Sequence, residues 1–251
     1  MQPNPYLYLT ADQLPADRVV CFICPHPDDA SISAGGTLHL LSSRGNRVHV
    51  LVMVTGHHAR IAGTTAQQRI AIREAEVRRE CEILGAEPHF LQLPFYERRY
   101  PLLEDDLQSV RQRLTALGAN WLFTPGGQDP HPTHALSRQL ALLAAWSIEP
   151  APLIWSYESP WGLFQNDGFN RIVPLSQETM AAKLRAIEAH ASQTARTPYA
   201  RLAEAIAALR AAIVPEQILA GLGETPTTRE SYMEVFLEEP ERHPRLFGSR
   251  E

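Results

Sequence analysis

The sequence predicts an α/β protein with a Rossmann-like, doubly wound and mostly parallel sheet that carries helices on both faces. Apolar runs such as residues 18–24 and 48–54 are almost continuous, which is typical of strands buried on both sides. Segments with helical spacing separate these runs, and several end at a glycine such as Gly85 or Gly118. This alternation indicates right-handed crossovers and therefore a parallel sheet.

The first half of the chain is expected to contain four strands and three helices in regular alternation. In chain order these are a strand over residues 18–24, a helix over 33–44, a strand over 48–54, a helix over 67–84, a strand over 89–93, a helix over 103–117 and a strand over 121–123. Because ligands bind beyond the carboxyl ends of such strands, the following loops are the candidate site. These loops are residues 25–33, 55–65, 94–101 and 125–133.

The second half is less regular but still alternates. We expect strands over residues 153–158 and 169–173, helices over 177–192 and 199–212, and a last strand over 232–237. A length of 251 residues suits one domain of this class, 1–251. In that interpretation residues 1–150 form the Rossmann-like half, and 151–251 add the C-terminal strands and helices of the same domain.

Composition limits the classes of partner. The formal net charge of -5 disfavours a nucleic-acid binder that depends on neutralising phosphates, and favours a small-molecule partner. No apolar run reaches the roughly 20 residues needed to cross a bilayer. The first twenty residues lack a basic segment followed by an apolar one, so we expect a cytoplasmic protein.

The three cysteines, Cys21, Cys24 and Cys81, are expected to be reduced and mostly buried. Cys21 and Cys24 form a C-x-x-C pair within a predicted strand. Residues three apart in a strand point to opposite faces, so this pair is not expected to share a metal or form a disulfide.

The segment Pro25-His26-Pro27-Asp28-Asp29 follows the first predicted strand directly. Prolines on both sides of His26 restrict the backbone, so one stiff loop presents an imidazole and two carboxylates. The same residue types are also common in solvated turns, which is the alternative interpretation.

A second polar loop, Gly126 to His134, follows the strand over residues 121–123 and again combines histidine with aspartate. The two loops are expected to converge at one edge of the sheet. Two histidines and one carboxylate bind a divalent ion while leaving positions open for water or substrate. If His26, Asp29 and His134 are the ligands, Asp28 remains beside the metal as a base.

These motifs resemble those of the zinc-dependent N-deacetylases of the LmbE or PIG-L family, over about residues 18–236. Within that family, the loop motifs look most like the deacetylase-type domain fused to glucosamine-6-phosphate deaminase-like proteins. The residues that carry the resemblance are Pro25-His26-Pro27-Asp28-Asp29, Gly35-Gly36-Thr37, Arg73-Glu74-x-Glu76, Leu84-Gly85, Leu93-Pro94-Phe95-Tyr96-Glu97, Asp129-Pro130-His131-x-x-His134 and His190-Ala191-Ser192-Gln193.

The resemblance implies that His26, Asp29 and His134 bind Zn²⁺ and that Asp28 is the general base. It implies that His131, in its protonated form, faces the substrate carbonyl. The expected reaction removes an acetyl group from an N-acetylated amino sugar or related glycoconjugate. Relatives are often homo-oligomers, so a homo-oligomer is expected by resemblance.

Two positions depart from the family pattern. Ala30 and Thr133 stand where the family usually has acidic residues. Because the carboxylate that often orients the catalytic histidine is missing at Thr133, we hypothesise that Asp129 orients His131 instead.

Three residues are predicted to contact the substrate. They are Arg73, whose place in the family motif suggests a structural or substrate role near the site, and Tyr96 and Arg98 in the third loop. For Arg98, a solvated surface position is the competing interpretation. The aromatic residues Trp155, Tyr157, Trp161 and Phe164 can form a wall against a sugar ring, although aromatic residues near sheet edges are more often core.

Two other functions fit the same residues. A two-histidine, one-carboxylate site can hold iron(II) for oxygen chemistry, although that would leave Asp28 idle. The chain can also be a non-catalytic sugar-binding or interaction protein in which Ala30 and Thr133 mark a decayed site.

Overall fold

A computed structural model of the chain describes residues 6–95, 104–165, 168–222 and 230–240. Within these ranges eight strands form one sheet in the order β1-β7-β8-β6-β5-β2-β3-β4. The strands are β1 Leu7–Tyr8, β2 Val19–Cys24, β3 Arg47–Val52, β4 Ala86–Phe90, β5 Trp121–Pro125, β6 Leu153–Tyr157, β7 Arg171–Leu175 and β8 Tyr232–Glu238. β8 runs antiparallel to β6 and β7, and every other pairing is parallel.

Seven helices connect these strands in the described ranges. They are α1 Asp29–Ser43, α2 Ala66–Leu84, α3 Glu104–Leu117, α4 Pro132–Trp146, α5 Gln177–Glu188, α6 Ala191–Thr194 and α7 Tyr199–Leu222. The predicted fold class is therefore confirmed. None of the helices in the described part of the chain is long and apolar enough to cross a membrane.

The sheet has a buried core on each face, as strands covered on both sides require. Val20, Phe22 and Cys24 point into one core, while Cys21 and Ile23 point into the other. The prediction that Cys21 and Cys24 face opposite sides of the sheet is confirmed. Cys21, Cys24 and Cys81 are all free and buried.

Several predicted boundaries were wrong. The strand expected over residues 89–93 is β4, which begins at Ala86 because Gly85, in the left-handed conformation, turns the chain straight from α2 into the sheet. α1 begins at Asp29 rather than residue 33, and β7 lies two residues later than predicted. The helix expected over residues 177–192 is divided into α5 and α6, and α7 extends ten residues beyond its predicted end.

The strand β1 and the helix α4 were not predicted. α4 has a clear start signal, since Pro132 occupies its first turn and His131 caps it. Because residues 125–133 were interpreted only as a loop, the helix that follows was missed.

A buried carboxylate ties α1 to the last strand. Ala34 breaks the helical geometry of α1 with φ -137° and ψ 20°. The Gly36 and Thr37 amides donate to the Glu234 side chain at 3.1 and 2.7 Å, and Lys183 Nζ lies 2.6 Å from it. At Gly36 any Cβ would lie 2.6 Å from Leu175, so only glycine allows this close approach of α1 to β7.

We expect Glu234→Ala to lower the free energy of unfolding by about 3–5 kcal/mol, because it leaves the buried Lys183 charge and two amides without their partner. Glu188→Ala, an exposed change in the neighbouring helix, should change that free energy by less than about 0.5 kcal/mol. Urea denaturation followed by circular dichroism measures both. Equal midpoints for the two variants would contradict this role of Glu234.

Candidate active site

Two loops meet at the carboxyl edge of the sheet because β2 and β5 are neighbouring parallel strands, with Phe22 opposite Phe123. The loop after β2 carries His26 and Asp28, and Asp29 is the first residue of α1. The loop after β5 carries Asp129 and His131, and His134 lies in the first turn of α4. Both helix N-termini therefore point their positive dipole ends towards this edge, which favours carboxylates and developing negative charge there.

Three side-chain atoms form a nearly equilateral triangle. His26 Nδ1 lies 3.2 Å from His134 Nε2, and each of these nitrogen atoms lies 3.3 Å from Asp29 Oδ2. In a tetrahedral site with ligand bonds of 2.0–2.2 Å, neighbouring ligand atoms are about 3.3 Å apart. The geometry therefore fits a four-coordinate divalent metal with three protein ligands and one open position.

The charges around this triangle also suit a cation. Burial lowers the pKa of His134, but the Asp29 and Asp129 carboxylates outweigh that effect and raise it to about 10. Burial raises the pKa of Asp29, but the His134 and His26 rings lower it by more. The pKa of Asp29 therefore lies well below its usual value. Asp29 also accepts a hydrogen bond from the His26 amide at 2.7 Å.

The Asp129 carboxylate contacts the ring of His134 rather than that of His131. Its Oδ2 lies 2.7 Å from His134 Nδ1 and accepts from the Ser159 hydroxyl at 2.5 Å. Its Oδ1 accepts from the backbone amide of His131 at 2.9 Å, so it does not contact the His131 ring. A carboxylate behind a ligand histidine fixes the tautomer and aims the other nitrogen at the metal. The hypothesis that Asp129 orients the His131 ring was wrong in this respect.

His131 stands at the mouth of the site with its ring fixed by the backbone. Its Nδ1 accepts from the Thr133 amide at 3.2 Å, which leaves Nε2 to carry the proton of the neutral ring. Burial and the nearby His26 and His134 rings lower the pKa of His131. The ring therefore offers a neutral N–H donor at pH 7, and not the imidazolium expected from the sequence.

Asp28 lies beside the triangle and is held by Arg73. Arg73 Nη2 lies 3.1 Å from Asp28 Oδ2 and donates to the Pro27 carbonyl at 2.5 Å. The second terminal nitrogen of Arg73, Nη1, lies 3.3 Å from Glu76 Oε2. Arg73 is buried on α2, and its guanidinium holds Asp28 and the loop. It also lines the cavity, and its predicted substrate contact stays a prediction.

The site opens into a cavity of about 280 Å³, whose lining includes His26, Asp28, Asp29, His131 and His134. The lining also includes His58, Arg60, Trp161, Arg196 and Tyr199. Trp161 was a candidate from the sequence, whereas Arg60, Arg196, Tyr199 and the nearby Ser159 were not. Ser159 and Trp161 follow β6, whose carboxyl end lies at the same edge, and that loop was not among those considered.

The aromatic residues predicted to form a wall against a sugar ring lie partly in the core and partly at the cavity. Trp155, Tyr157 and Phe164 are buried core residues, and the Tyr157 hydroxyl donates to the Ile23 carbonyl at 2.8 Å. Of the four aromatic residues, Trp161 alone lines the cavity. Tyr96 and Arg98 lie outside the described residues, and their predicted substrate contacts stay predictions.

We expect Asp129→Ala to weaken divalent metal binding about 10- to 100-fold, because His134 loses the carboxylate that orients it. Competition with a chromogenic chelator measures the dissociation constant. Ser159→Ala removes only the hydroxyl that supports Asp129, so its effect should be smaller and in the same direction. An Asp129→Ala variant with wild-type metal affinity would disprove the orienting role.

The chain is similar to several known proteins. Residues 21–145 match the family described as PIG-L: GlcNAc-PI de-N-acetylase. Diacetylchitobiose deacetylase of Thermococcus kodakarensis is 30% identical over 193 residues, which cover 70% of each chain. A putative glucosamine-6-phosphate deaminase-like protein of Bacteroides thetaiotaomicron is 28% identical over 244 residues, but the chain spans only 36% of its length.

Two solved structures share the fold. GalB, the 4-carboxy-2-hydroxymuconate hydratase from Pseudomonas putida KT2440, has a TM-score of 0.74 at 17% identity, over 92% of this chain and all of that one. The N,N'-diacetylchitobiose deacetylase from Pyrococcus horikoshii has a TM-score of 0.64 at 23% identity, over 90% and 84%. At such identities the likeness is one of fold alone. The sequence match to the Thermococcus deacetylase, at 30% identity over 70% of each chain, shows the family as well as the fold. The chain belongs to the PIG-L family of de-N-acetylases.

Proposed function

We propose that this chain hydrolyses the N-acetyl group of an amino sugar or related glycoconjugate and releases acetate and a free amine. The observation that carries the proposal is the triangle of His26, Asp29 and His134 with Asp28 beside it at the base of an open cavity. Membership of the PIG-L family supports the reaction class, and the acetylated amino sugar named in the Thermococcus relative supports the substrate class.

We propose zinc as the metal. The ligand atoms lie 3.2–3.3 Å apart, close to the edge of a tetrahedral site. Iron(II) chemistry with oxygen would leave Asp28 without a role, whereas hydrolysis at zinc would use it as the base. A bound zinc ion would supply Lewis acidity, acidifying a water molecule and polarising the amide carbonyl.

The protein's own residues supply the proton transfers. The Asp28 carboxylate accepts the proton of the attacking water as the carbon–oxygen bond forms, and delivers it to the nitrogen as the carbon–nitrogen bond breaks. Arg73 holds that carboxylate at 3.1 Å, so it is in position before substrate binds. The Nε2–H of His131 donates a hydrogen bond to the carbonyl oxygen as negative charge develops there, which stabilises the transition state by about 3 kcal/mol.

The structure gives little support to the alternative of a decayed, non-catalytic site. Ala30 is completely buried in the apolar core, where a carboxylate would lack a partner. The ring of His131 is oriented by the Thr133 amide, so an acidic side chain at that position is not needed to fix it.

Other predictions from the sequence accompany the proposal. They are a single domain over residues 1–251, a cytoplasmic location, a small-molecule partner rather than nucleic acid, and a homo-oligomer.

Acetate release from N-acetylglucosamine, its 6-phosphate and diacetylchitobiose tests the function. We expect at least one of these substrates to release acetate, and we expect a chelator to abolish release and added zinc to restore it. If none of the three substrates is hydrolysed by zinc-loaded protein, the proposed reaction is wrong. Activity that persists after complete metal removal would also contradict it.

Two substitutions separate proton transfer from metal binding. Asp28→Asn keeps the shape of the side chain but cannot accept a proton, so it should retain zinc and lose about 10²- to 10⁴-fold in kcat. His26→Ala should lose both zinc and activity, because one corner of the triangle is gone. Metal analysis and acetate release are measured on the same samples. An Asp28→Asn enzyme with wild-type turnover would contradict the role of Asp28 as the base.

A further inference from the structure

A second group of metal-ligating side chains lies on the edge of the sheet. His49 is in β3, and Glu87 and His89 are in the edge strand β4. His49 is opposite Glu87 in the parallel register, and Leu51 is opposite His89. Because residues two apart in a strand share a face, all three side chains project from the same side of the sheet.

The potential ligand atoms of these residues are close together. His49 Nδ1 lies 3.0 Å from His89 Nε2 and 3.5 Å from Glu87 Oε2, and His89 Nε2 lies 3.9 Å from Glu87 Oε1. The first two separations are within about 0.3 Å of the tetrahedral edge of about 3.3 Å, and the third is about 0.6 Å longer. The Glu87 side chain is 66% exposed and can rotate to close the remaining gap.

This group is distinct from the candidate active site. His49 is opposite Cys21 in β2, five residues before His26. At about 3.3 Å per residue along a strand, the two groups are more than about 10 Å apart. His49 also lies towards the amino end of the sheet, whereas the active-site loops follow the carboxyl ends of the strands.

Packing of the core does not account for a histidine at position 49. His49 is 6% exposed in a strand whose other buried residues are valine and leucine, and its Nε2 has no hydrogen-bond partner among the described residues. A buried imidazole with an unpartnered nitrogen costs free energy relative to an apolar side chain of similar size. A metal bond to Nδ1 would leave Nε2 unpartnered but would add a favourable interaction that valine or leucine cannot make.

Burial favours the neutral form of both rings, because it lowers the pKa of His49 and of His89. The cations Arg47 and Arg113 lower these pKa values further, whereas Glu87 raises them. Glu87 would also supply the negative charge that a divalent ion needs beside these two arginines.

We propose that His49, Glu87 and His89 form a second divalent-metal site, of the nitrogen and oxygen type that zinc prefers, which fastens the edge strand β4 to β3. It is independent of the proposed reaction, since none of its three residues lines the active-site cavity. The alternative is a hydrogen bond between two neutral rings, which needs no metal.

Zinc stoichiometry separates the two interpretations. In a His26→Ala/His134→Ala background, which removes the active-site ligands, we expect equilibrium dialysis against zinc followed by metal analysis to find about one zinc ion per chain. Adding His89→Ala to that background should abolish this binding. Glu87→Gln, which keeps the shape and removes the charge, should weaken it about tenfold or more. His39→Ala, a histidine outside both groups, should leave it unchanged.

Thermal melting provides a second readout that does not depend on activity. Zinc should raise the melting temperature of the His26→Ala/His134→Ala variant and should leave that of the His89→Ala triple variant unchanged. Circular dichroism without zinc confirms that each variant is folded. A background variant that binds no zinc, or that binds it equally well with and without His89, would overturn the second site and leave the hydrogen-bonded pair.

Discussion

The pairing of β2 with β5 is the constraint on which the candidate active site depends. These strands are about a hundred residues apart in the chain, yet Phe22 lies opposite Phe123 in the register. That pairing places the two polar loops side by side and starts α1 and α4 at the same edge. Tyr157 of β6 stacks on Phe22 with ring centres 4.5 Å apart and donates its hydroxyl to the Ile23 carbonyl. The end of β2 is therefore held by β5 and by the Tyr157 side chain of β6 before the loop begins.

A buried network of charges lies behind the loop that carries Asp28 and Asp29. The first turn of α1 lacks a side-chain cap from Asp28, and the Ser31 amide donates instead to Glu80 at 2.7 Å. Glu80 lies 3.2 Å from His190, and Glu76 accepts from Ser192 at 2.7 Å while facing Arg73. Buried carboxylates are unfavourable unless they are paired, so these contacts contribute little net stability. Their effect is to fix the positions of Asp28 and Asp29.

The sequence was sufficient for most of the fold, and it picked out five residues that the fold brings to one cavity: His26, Asp28, Asp29, His131 and His134. Apolar runs and glycine stops are local signals, and they located β2, β3, α2 and β5 to within a few residues. The strand β4 was placed three residues late because Leu91 and Leu93 continue the apolar pattern. The amides of Leu91 and Leu93 donate to the Val52 and Met53 carbonyls, but both residues lie beyond the end of β4. A hydrophobic pattern cannot separate a strand from an extended segment that follows it.

The direction of each side chain was less predictable than its presence. Asp129 lies two residues before His131, and this proximity in sequence suggested that its carboxylate contacts the His131 ring. In the structure the carboxylate contacts the backbone amide of His131 and the ring of His134. α4 turns His134 back over Asp129, while Thr133, the residue at which an orienting acid seemed to be missing, supplies a backbone amide to the His131 ring. The second histidine group was missed for the same reason, because His49 and His89 are forty residues apart and meet only through the pairing of β3 with β4.

The two departures from the family pattern leave the proposed chemistry intact because other groups supply the contacts. At position 30 the helix α1 faces the apolar core, and Ala30 is completely buried there. At position 133 an acidic side chain is not needed, since the Thr133 amide fixes the His131 ring and Asp129 fixes His134. Orientation by a backbone amide leaves His131 without a carboxylate partner to stabilise its protonated form. The ring is therefore suited to donating a hydrogen bond as a neutral imidazole, and in the proposed reaction the proton transfers fall to Asp28.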